Sequence, residues 1–212
     1  LLEALRLGEI QYLIHFSSSE VYGDALQVRM KENHPLTPHT TYAAGKASAD
    51  LLIRSYQECF GVRVLIIRPF NNYGPRQNDG LYAAVIPITM KKLLIGQAPV
   101  IAGDGLQTRD FIFVGDTVRI THSLAKREEL AGQVINLGTG RETSIREIMN
   151  HLCRITGYNF DRIKKGPVRP GDVRRHCADI SLLRSFEDKL ALKTIKEGLA
   201  ETWQWYINSR KK

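Results

Sequence analysis

The strongest constraint on the fold is a pair of short apolar runs separated by a long helical stretch. Residues 12–16 read Tyr-Leu-Ile-His-Phe, and residues 62–67 read Val-Arg-Val-Leu-Ile-Ile. Short and nearly continuous apolar runs are typical of parallel strands that are buried on both faces. Between them, the chain from Thr41 is rich in Ala and stops at Gly61, which suits the end of a helix. The order strand, helix, strand predicts part of a parallel α/β sheet.

Tyr42 and Lys46 lie four residues apart at the start of this helical stretch. Residues at i and i+4 share one face of a helix, so the spacing places an ammonium group beside a phenol. A free phenol titrates near pH ~10, and a fixed neighbouring positive charge favours the phenolate. The pair is therefore a candidate general base, although the same spacing also occurs on solvated helix surfaces.

In the second half of the chain, the pattern predicts shorter elements. Pro69 is expected to end regular structure and to start a loop. Residues 99–102 and 108–114 are predicted as short strands that flank the turn Gly-Asp-Gly between them. Ser144 and Glu147 have the spacing of a capping box, which predicts the start of a helix.

A run of small hydroxyl residues follows the first apolar segment. It reads Ser17-Ser18-Ser19-Glu20-Val21-Tyr22-Gly23, and it predicts a loop at the carboxyl end of the strand, where ligands bind in open α/β sheets. A strand that ends in serines, followed by Val-Tyr-Gly and by Tyr-x-x-x-Lys on a helix, resembles the extended short-chain dehydrogenase/reductases that modify nucleotide-diphosphate sugars. Further stretches follow in the order of that family: residues 68–76, 103–114, 136–140 and 169–172.

The resemblance implies an α/β fold, in which a partial Rossmann-type parallel sheet precedes a smaller α+β lobe that binds the substrate. Residues 1–80 would form the C-terminal part of the dinucleotide-binding domain. Residues 81–212 would form mainly the substrate lobe, with strand and helix excursions back to the sheet. No Gly-x-x-Gly-x-x-Gly or Gly-x-Gly-x-x-Gly turn joins a strand to a helix in this sequence. We therefore expect that the first part of the dinucleotide fold, on the order of 90 residues, is absent from this chain.

The net charge of +8 raises the question of nucleic-acid binding. The basic residues are spread along the chain, without a basic helix, a zinc-finger spacing or an aromatic-basic ribonucleoprotein motif, so we predict no nucleic-acid partner. No apolar run approaches the ~18 residues of a membrane helix, which predicts no membrane partner. The three cysteines are scattered and lack metal-ligand spacing, as is typical of reduced thiols in a cytoplasmic protein without a metal site.

The resemblance implies NAD as the cofactor and oxidation of the sugar at C4 as the first chemical step. Tyr42, as a phenolate, would accept the proton of the 4-hydroxyl group, and Lys46 would lower the pKa of the phenol and bind the nicotinamide ribose. Ser18 matches the Ser or Thr that hydrogen-bonds the same oxygen, and it would contact the substrate together with Ser19. Pro69 matches the residue at the edge of the nicotinamide. The family usually dimerises through helices that include the Tyr-Lys helix, so we expect a homodimer.

The resemblance also implies a nucleotide-diphosphate sugar as the substrate. Asn71 matches the asparagine that contacts the sugar diphosphate. Arg109 and Arg169 match two arginines that clamp the phosphates, since a guanidinium is always charged and donates two hydrogen bonds at once. Asp172 would bind the nucleotide ribose or order the loop that carries Arg169.

Glu20 distinguishes between the reactions that can follow C4 oxidation. A C4 ketone acidifies the C5 proton, and a carboxylate at this position would remove that proton so that water leaves from C6. We therefore favour a 4,6-dehydratase, and the alternatives are a UDP-sugar 4-epimerase and a UDP-glucuronate decarboxylase. The dTDP-glucose dehydratases carry Asp-Glu where this chain has Ser19 and Glu20, which is a departure from their pattern. An alternative of another class is a non-catalytic chain that only binds a nucleotide sugar.

Overall fold

The computed structural model describes residues 1–80, 83–168, 173–187 and 190–209. The helices are α1 (Leu2–Arg6), α2 (Thr41–Phe60), α3 (Val85–Leu94), α4 (Val114–Ala125), α5 (Ile145–Thr156), α6 (Ser181–Phe186) and α7 (Ile195–Ser209). The strands are β1 (Leu13–Phe16), β2 (Val64–Pro69), β3 (Asn71–Tyr73), β4 (Val100–Ala102), β5 (Thr108–Arg109), β6 (Phe111–Phe113), β7 (Val134–Leu137), β8 (Thr143–Ser144) and β9 (Lys164–Gly166). Short 3-10 helices lie at Ser19–Tyr22, Glu128–Leu130 and Phe160–Arg162. None of the helices in these ranges is both long and apolar enough to cross a membrane.

A three-stranded parallel sheet in the order β1-β2-β7 forms the first layer of the fold. β2 lies in its centre, and residues 64–67 of this strand are each 0% exposed. A strand that is covered on both faces has no polar face, which explains the uninterrupted apolar pattern in the sequence. β7 pairs with β2 so that Asn136 lies opposite Arg68, and the second half of the chain thereby returns to the sheet. The parallel α/β sheet predicted from the sequence is confirmed.

α2 connects β1 to β2 and follows the sequence signals at both ends. Thr40 Oγ1 accepts a hydrogen bond from the Ala43 N–H at 3.1 Å and caps the first turn. Gly61 ends the helix in the left-handed conformation, with φ 64 and ψ 22. The predicted helix is therefore confirmed. Its buried face carries Asp50 among apolar residues, and a buried carboxylate requires partners inside the protein.

The strands after Pro69 pair in ways that the local sequence does not reveal. The expectation that Pro69 ends regular structure is wrong, because β3 begins two residues later and pairs in parallel with β6. The turn at residues 103–105 is flanked by strands as predicted, but β4 pairs in parallel with β9, and β5 pairs antiparallel with β8. These strands have two or three residues each, too few to show a period, and their partners are distant in the sequence.

A second core joins α3, α5 and α7 to the short strands. α5 begins at a capping box in which the side chains of Ser144 and Glu147 each bond the backbone of the other, as predicted. Ile148 and Leu199 are each 0% exposed, and they belong to the same apolar cluster as Phe111 of β6. The three helices thus support the strands that extend from the end of the parallel sheet.

Candidate active site

The chain turns sharply where β1 ends, and three consecutive serines form the turn. The Ser17 N–H continues the sheet by donating to the Ile67 carbonyl at 2.8 Å. Ser18 Oγ accepts a hydrogen bond from the Glu20 N–H at 3.2 Å and caps the 3-10 helix, while Ser19 is 3% exposed. Because this bond uses a lone pair of the Ser18 oxygen, the hydroxyl proton remains available to a bound molecule. Ser18 and Glu20 therefore lie together at the carboxyl end of β1.

Gly23 ends this turn in a conformation that only glycine tolerates. Its φ is 65 and its ψ is −134, and a Cβ atom there would lie 2.1 Å from the Thr37 carbonyl oxygen. We expect Gly23→Ala to lower the free energy of unfolding by about 3 kcal/mol, because backbone strain adds to steric overlap. Gly61→Ala is the matched control, since Gly61 has φ 64 with nothing within 4 Å of its Cβ position, and it should cost about 1 kcal/mol. Urea denaturation measures both losses, and equal losses would contradict the role of the Thr37 contact.

Two side chains fasten α2 to the end of β1. Lys46 Nζ donates to the Phe16 carbonyl at 2.7 Å, and Ser17 Oγ donates to Asp50 Oδ2 at 2.8 Å. Tyr42 lies one turn before Lys46 and is 58% exposed. The structure therefore brings the predicted pair of Tyr42 and Lys46 to the same end of the sheet as the serine turn, with the phenol open to a ligand.

A cavity of about 310 Å³ includes part of this turn in its wall. Glu20, Asn71 and Arg109 are the predicted site residues that line it, and Glu20 is the only acid among the described lining residues. The other lining residues are the polar Asn72, Gln77 and Gln107 and the apolar Ala83, Ala84, Val85, Ile86, Val100, Ala102, Phe111 and Ile145. A concave site in which several polar side chains converge between apolar ones is typical of a binding site for a small polar molecule.

The polar side chains of the cavity come mainly from β3, β5 and the loop after β3. The Asn71 N–H donates to the Asp110 carbonyl at 2.9 Å, which fixes β3 beside the segment that carries Arg109. Gln77 Nε2 donates to the Asn72 carbonyl at 2.9 Å, whereas Gln77 Oε1 is buried without a hydrogen-bond partner among the described residues. A buried acceptor without a partner is costly, so this oxygen suits a donor group of a ligand. The sequence pattern predicts neither Asn72 nor Gln77, because a polar loop residue gives no local signal for its direction.

Asp110 is turned away from the cavity that its neighbour Arg109 lines. Its carboxylate accepts N–H bonds from Thr139 at 2.8 Å, Gly140 at 2.9 Å and Ala178 at 3.2 Å. Burial raises the pKa of this carboxyl group, and the hydrogen bonds oppose that effect. Asp110 thus ties the loop after β7 to the strand that positions Arg109, which gives a physical reason for these two sequence stretches to occur together.

His176 is a buried neighbour of the site that the sequence pattern does not predict. It is 5% exposed, and its ring centroid lies 5.2 Å from that of Phe70. Burial lowers the pKa of His176 to about 4, the charge of Arg109 lowers it as well, and a hydrogen bond with the Ser19 backbone opposes the shift. His176 is therefore neutral near pH 7 and adds no charge beside Arg109.

The remaining predicted residues lie outside this cavity. Pro69 ends β2 opposite Leu137 of β7, and it is not among the described lining residues. Arg169 and Asp172 lie outside the described residues. The second phosphate clamp and the ribose contact assigned to them therefore stay predictions.

The chain matches the model of a family described as GDP-mannose 4,6 dehydratase over residues 1–186. It is 35% identical over 210 residues to a dTDP-glucose 4,6-dehydratase of Actinoplanes sp., a match that covers 99% of this chain and 64% of that protein. It is 34% identical over 209 residues to a UDP-glucose 4-epimerase of Mycolicibacterium smegmatis, which covers 98% of this chain and 66% of that protein.

A similar structure is that of DesIV, a dTDP-glucose 4,6-dehydratase from Streptomyces venezuelae with NAD and TYD bound. The TM-score is 0.89 at 30% sequence identity, and the match covers 100% of this chain and 64% of that chain. The chain thus spans slightly less than two thirds of the length of these proteins. Both dehydratases and epimerases are among them.

Proposed function

The chain belongs to the family of NAD-dependent nucleotide-sugar epimerases and dehydratases. Within this family, we propose that it acts in the 4,6-dehydration of a nucleotide-diphosphate sugar. The observation that carries the proposal is the position of Glu20, which lines one cavity with Asn71 and Arg109. A carboxylate in the same cavity as a phosphate-binding arginine can act on the sugar that the phosphates anchor.

The described residues at the carboxyl end of β1 fit NAD, the cofactor of this family. Lys46 Nζ donates one of its three N–H groups to the Phe16 carbonyl, and the other two can bind ribose hydroxyl groups. Tyr42 lies one turn away and is open to solvent, and Pro69 at the end of the neighbouring β2 would border the nicotinamide. When bound, NAD supplies the oxidant for C4 of the sugar.

Tyr42 is the general base of the proposed C4 oxidation. Its phenolate accepts the proton of the 4-hydroxyl group, and the positive charge of Lys46 stabilises that phenolate. Ser18 donates its hydroxyl proton to the same substrate oxygen, since the bond from the Glu20 N–H occupies only a lone pair of the Ser18 oxygen and leaves the proton available. These three residues complete the step that dehydration and epimerisation share.

Glu20 carries the step that is specific to dehydration. The C4 ketone acidifies the C5 proton, and the Glu20 carboxylate removes it while the hydroxyl group at C6 leaves. The newly formed carboxylic acid of Glu20 then provides the proton that turns the leaving hydroxide into water. Because Glu20 is the only acid among the described lining residues, one residue serves as base and acid, and Ser19 needs no part in the proton transfer.

We propose that Arg109 binds the diphosphate of the substrate. Removal of its side chain should therefore weaken substrate binding more than it slows the chemical step. We expect Arg109→Ala to raise KM about 10- to 100-fold, the equivalent of one charge-assisted hydrogen bond of about 1.5–3 kcal/mol, with a smaller change in kcat. Arg141→Ala is the control, since Arg141 is exposed and does not line the cavity. Steady-state kinetics measure both, and an unchanged KM for Arg109→Ala would refute the assignment.

A 4-epimerase is the second candidate, and Ser19 favours it. Ser19 stands where dTDP-glucose dehydratases carry an aspartate, and a 4-epimerase needs no second acid at this turn. The 34% identity with the UDP-glucose 4-epimerase of Mycolicibacterium smegmatis supports the same candidate. In this case the C4 ketone would be reduced from its other face to the epimeric alcohol, and Glu20 would take no part in the reaction.

Product analysis separates the two candidates. The enzyme is incubated with NAD and, in parallel, with dTDP-glucose, UDP-glucose and GDP-mannose. A 4-keto-6-deoxy product absorbs in alkali, and we expect this absorbance with at least one substrate. A 4-epimer without alkali absorbance would assign the chain to the epimerases, and it would overturn the role proposed for Glu20.

We further propose that the chain forms a homodimer through α2. Leu51, Leu52 and Phe60 of this helix are exposed by 56%, 54% and 55%, and exposed apolar groups on one helix favour association. Light scattering after size-exclusion chromatography should give the mass of a dimer, and a Leu51→Glu/Leu52→Glu variant should give that of a monomer.

A further inference from the structure

One turn beyond Lys46, a buried ion pair joins α2 to β2. The side chain of Asp50 is 0% exposed, and that of Arg68 on β2 is 3% exposed. Arg68 Nε and Nη2 each lie 3.0 Å from Asp50 Oδ2, and Ser17 Oγ donates to the same oxygen at 2.8 Å. The Asp50 carboxylate is therefore directed inward, toward the two strands.

Arg68 is itself fixed by contacts on its other side. Its Nη1 donates to the Tyr22 hydroxyl and to the Glu32 carbonyl, each at 3.0 Å, and its guanidinium lies 4.9 Å from the centroid of the Tyr22 ring. Tyr22 in turn donates to Asn136 Oδ1 at 2.6 Å, and burial raises its pKa to about 12, so it stays protonated. A guanidinium held at so many points keeps the Asp50 carboxylate in one place.

This arrangement leaves Lys46 without a carboxylate partner among the described residues. Asp50 follows Lys46 by four residues, and a lysine and a carboxylate at that spacing on one helix face ordinarily attract each other. Here the carboxylate bonds Arg68 and Ser17 instead, and Lys46 Nζ donates to a neutral carbonyl, that of Phe16. The positive charge of Lys46 thus stays uncompensated one turn from the Tyr42 phenol.

We propose that Arg68 is a positioning residue for the C4 oxidation step. By holding Asp50 away from Lys46, it leaves the ammonium charge free to stabilise the Tyr42 phenolate. The reaction that this serves rests on the proposed function, whereas the ionisation of Tyr42 is a property of the chain that can be measured without substrate.

Two charged or titratable groups contact Asp50 among the described residues. They are Arg68 on β2 and His15 on β1, whose Nε2 lies 3.5 Å from Asp50 Oδ1. Lys46 on α2 precedes Asp50 by one helical turn. Burial lowers the pKa of His15, the charge of Asp50 opposes that shift, and the charge of Lys46 adds to it. His15 is therefore neutral near pH 7, and Lys46 is the cation that Asp50 would reach if Arg68 were removed.

The test compares Arg68→Met with the double variant Arg68→Met/Asp50→Asn. The single variant frees a carboxylate to pair with Lys46, and the double variant has no carboxylate left to do so. A difference titration of tyrosinate absorbance, in backgrounds with Tyr42 and with Tyr42→Phe, isolates Tyr42 from the other seven of the eight tyrosines. We expect the pKa of Tyr42 to rise by about one unit in the single variant and to return to the wild-type value in the double variant.

The same variants change the pH profile of turnover. Because the reaction needs the phenolate, the acid limb of kcat should move to higher pH in Arg68→Met, with kcat lowered about tenfold on that limb. KM should stay unchanged, since Asn71 and Arg109 are untouched. The double variant should recover the wild-type profile.

A merely structural role for the ion pair gives a different pattern. It predicts that Arg68→Met, which leaves the Asp50 charge buried and unpaired, is the less stable of the two variants, and that Tyr42 keeps its wild-type pKa in both. This result would overturn the proposal. If circular dichroism shows that Arg68→Met does not fold, Arg68→Gln and Arg68→Gln/Asp50→Asn replace the pair. Absence of turnover in the unmodified enzyme would refute the proposed function, and the titration would still decide this inference.

Discussion

A Tyr42→Phe variant is expected to lose about 10³-fold in kcat, because the ring remains and the group that takes the proton of the 4-hydroxyl is removed. The substitution removes one oxygen from a side chain that is 58% exposed in the first turn of α2, so the fold should be unaffected. Binding of the nucleotide sugar should change little, since Asn71 and Arg109 line a cavity to which Tyr42 does not belong. Steady-state kinetics with a calorimetric binding assay separate the two effects.

Tyr56→Phe is the matched control for this variant. Tyr56 lies on the same helix, and its hydroxyl donates to Glu3 Oε1 at 2.6 Å, away from the serine turn. It should keep wild-type kcat. A Tyr42→Phe variant with kcat within a few-fold of that of Tyr56→Phe would show that the phenol of residue 42 is not the base.

Glu20→Gln is expected to abolish dehydration while it spares C4 oxidation. The amide has the shape of the carboxylate but cannot remove the C5 proton, so formation of the dehydrated product should fall by about 10²–10⁴-fold. The turn should survive, because the bond that holds it uses the backbone N–H of Glu20 and not its side chain. Stopped-flow absorbance should show reduced cofactor that forms at the wild-type rate and then persists.

Glu58→Gln provides the control, since Glu58 is an exposed carboxylate on α2. It should leave both steps unchanged. If Glu20→Gln forms the dehydrated product at the rate of Glu58→Gln, another group removes the C5 proton. If Glu20→Gln blocks the oxidation itself, Glu20 acts in the first step and not in the second.

The parts of the structure with strong local signals could be predicted from the sequence. A buried central strand shows as the apolar run at residues 64–67, and α2 shows its end through Gly61. The capping box at Ser144 is equally local. Each of these elements is determined by residues that are close in the sequence, so the pattern within one short window is sufficient to predict it.

Features that depend on distant partners could not be predicted in this way. β3 is a strand only because β6, about forty residues later, offers it hydrogen bonds. The i+4 spacing of Asp50 from Lys46 suggests that the two side chains pair on one face of α2. The Asp50 carboxylate points inward instead, because Arg68 on β2 binds it. His176 and Gln77 reach the site through loops, where the direction of a side chain has no period that a sequence pattern could show.

The resemblance to a family predicts Tyr42, Lys46, Ser18 and Glu20 as site residues from the sequence. The structure adds that Glu20 lines the cavity of Asn71 and Arg109, whereas Tyr42 and Lys46 lie at the end of β1. The serine turn connects the two groups of residues, because Ser18 bonds Glu20 and Ser17 bonds Asp50 on α2. This connection supports one site with two successive steps.

Solvent exchange at C5 tests most directly whether the enzyme removes the C5 proton of a 4-keto sugar, which is the step assigned to Glu20. The enzyme converts its nucleotide-diphosphate sugar in D2O, and the product is examined by NMR. The hydride removed from C4 would return to C6, and C5 would take a proton from Glu20, whose carboxylate the solvent has reprotonated after the loss of water. We expect a 4-keto-6-deoxy sugar with deuterium at C5. A product that keeps its original hydrogen at C5 would contradict the proposed removal of the C5 proton.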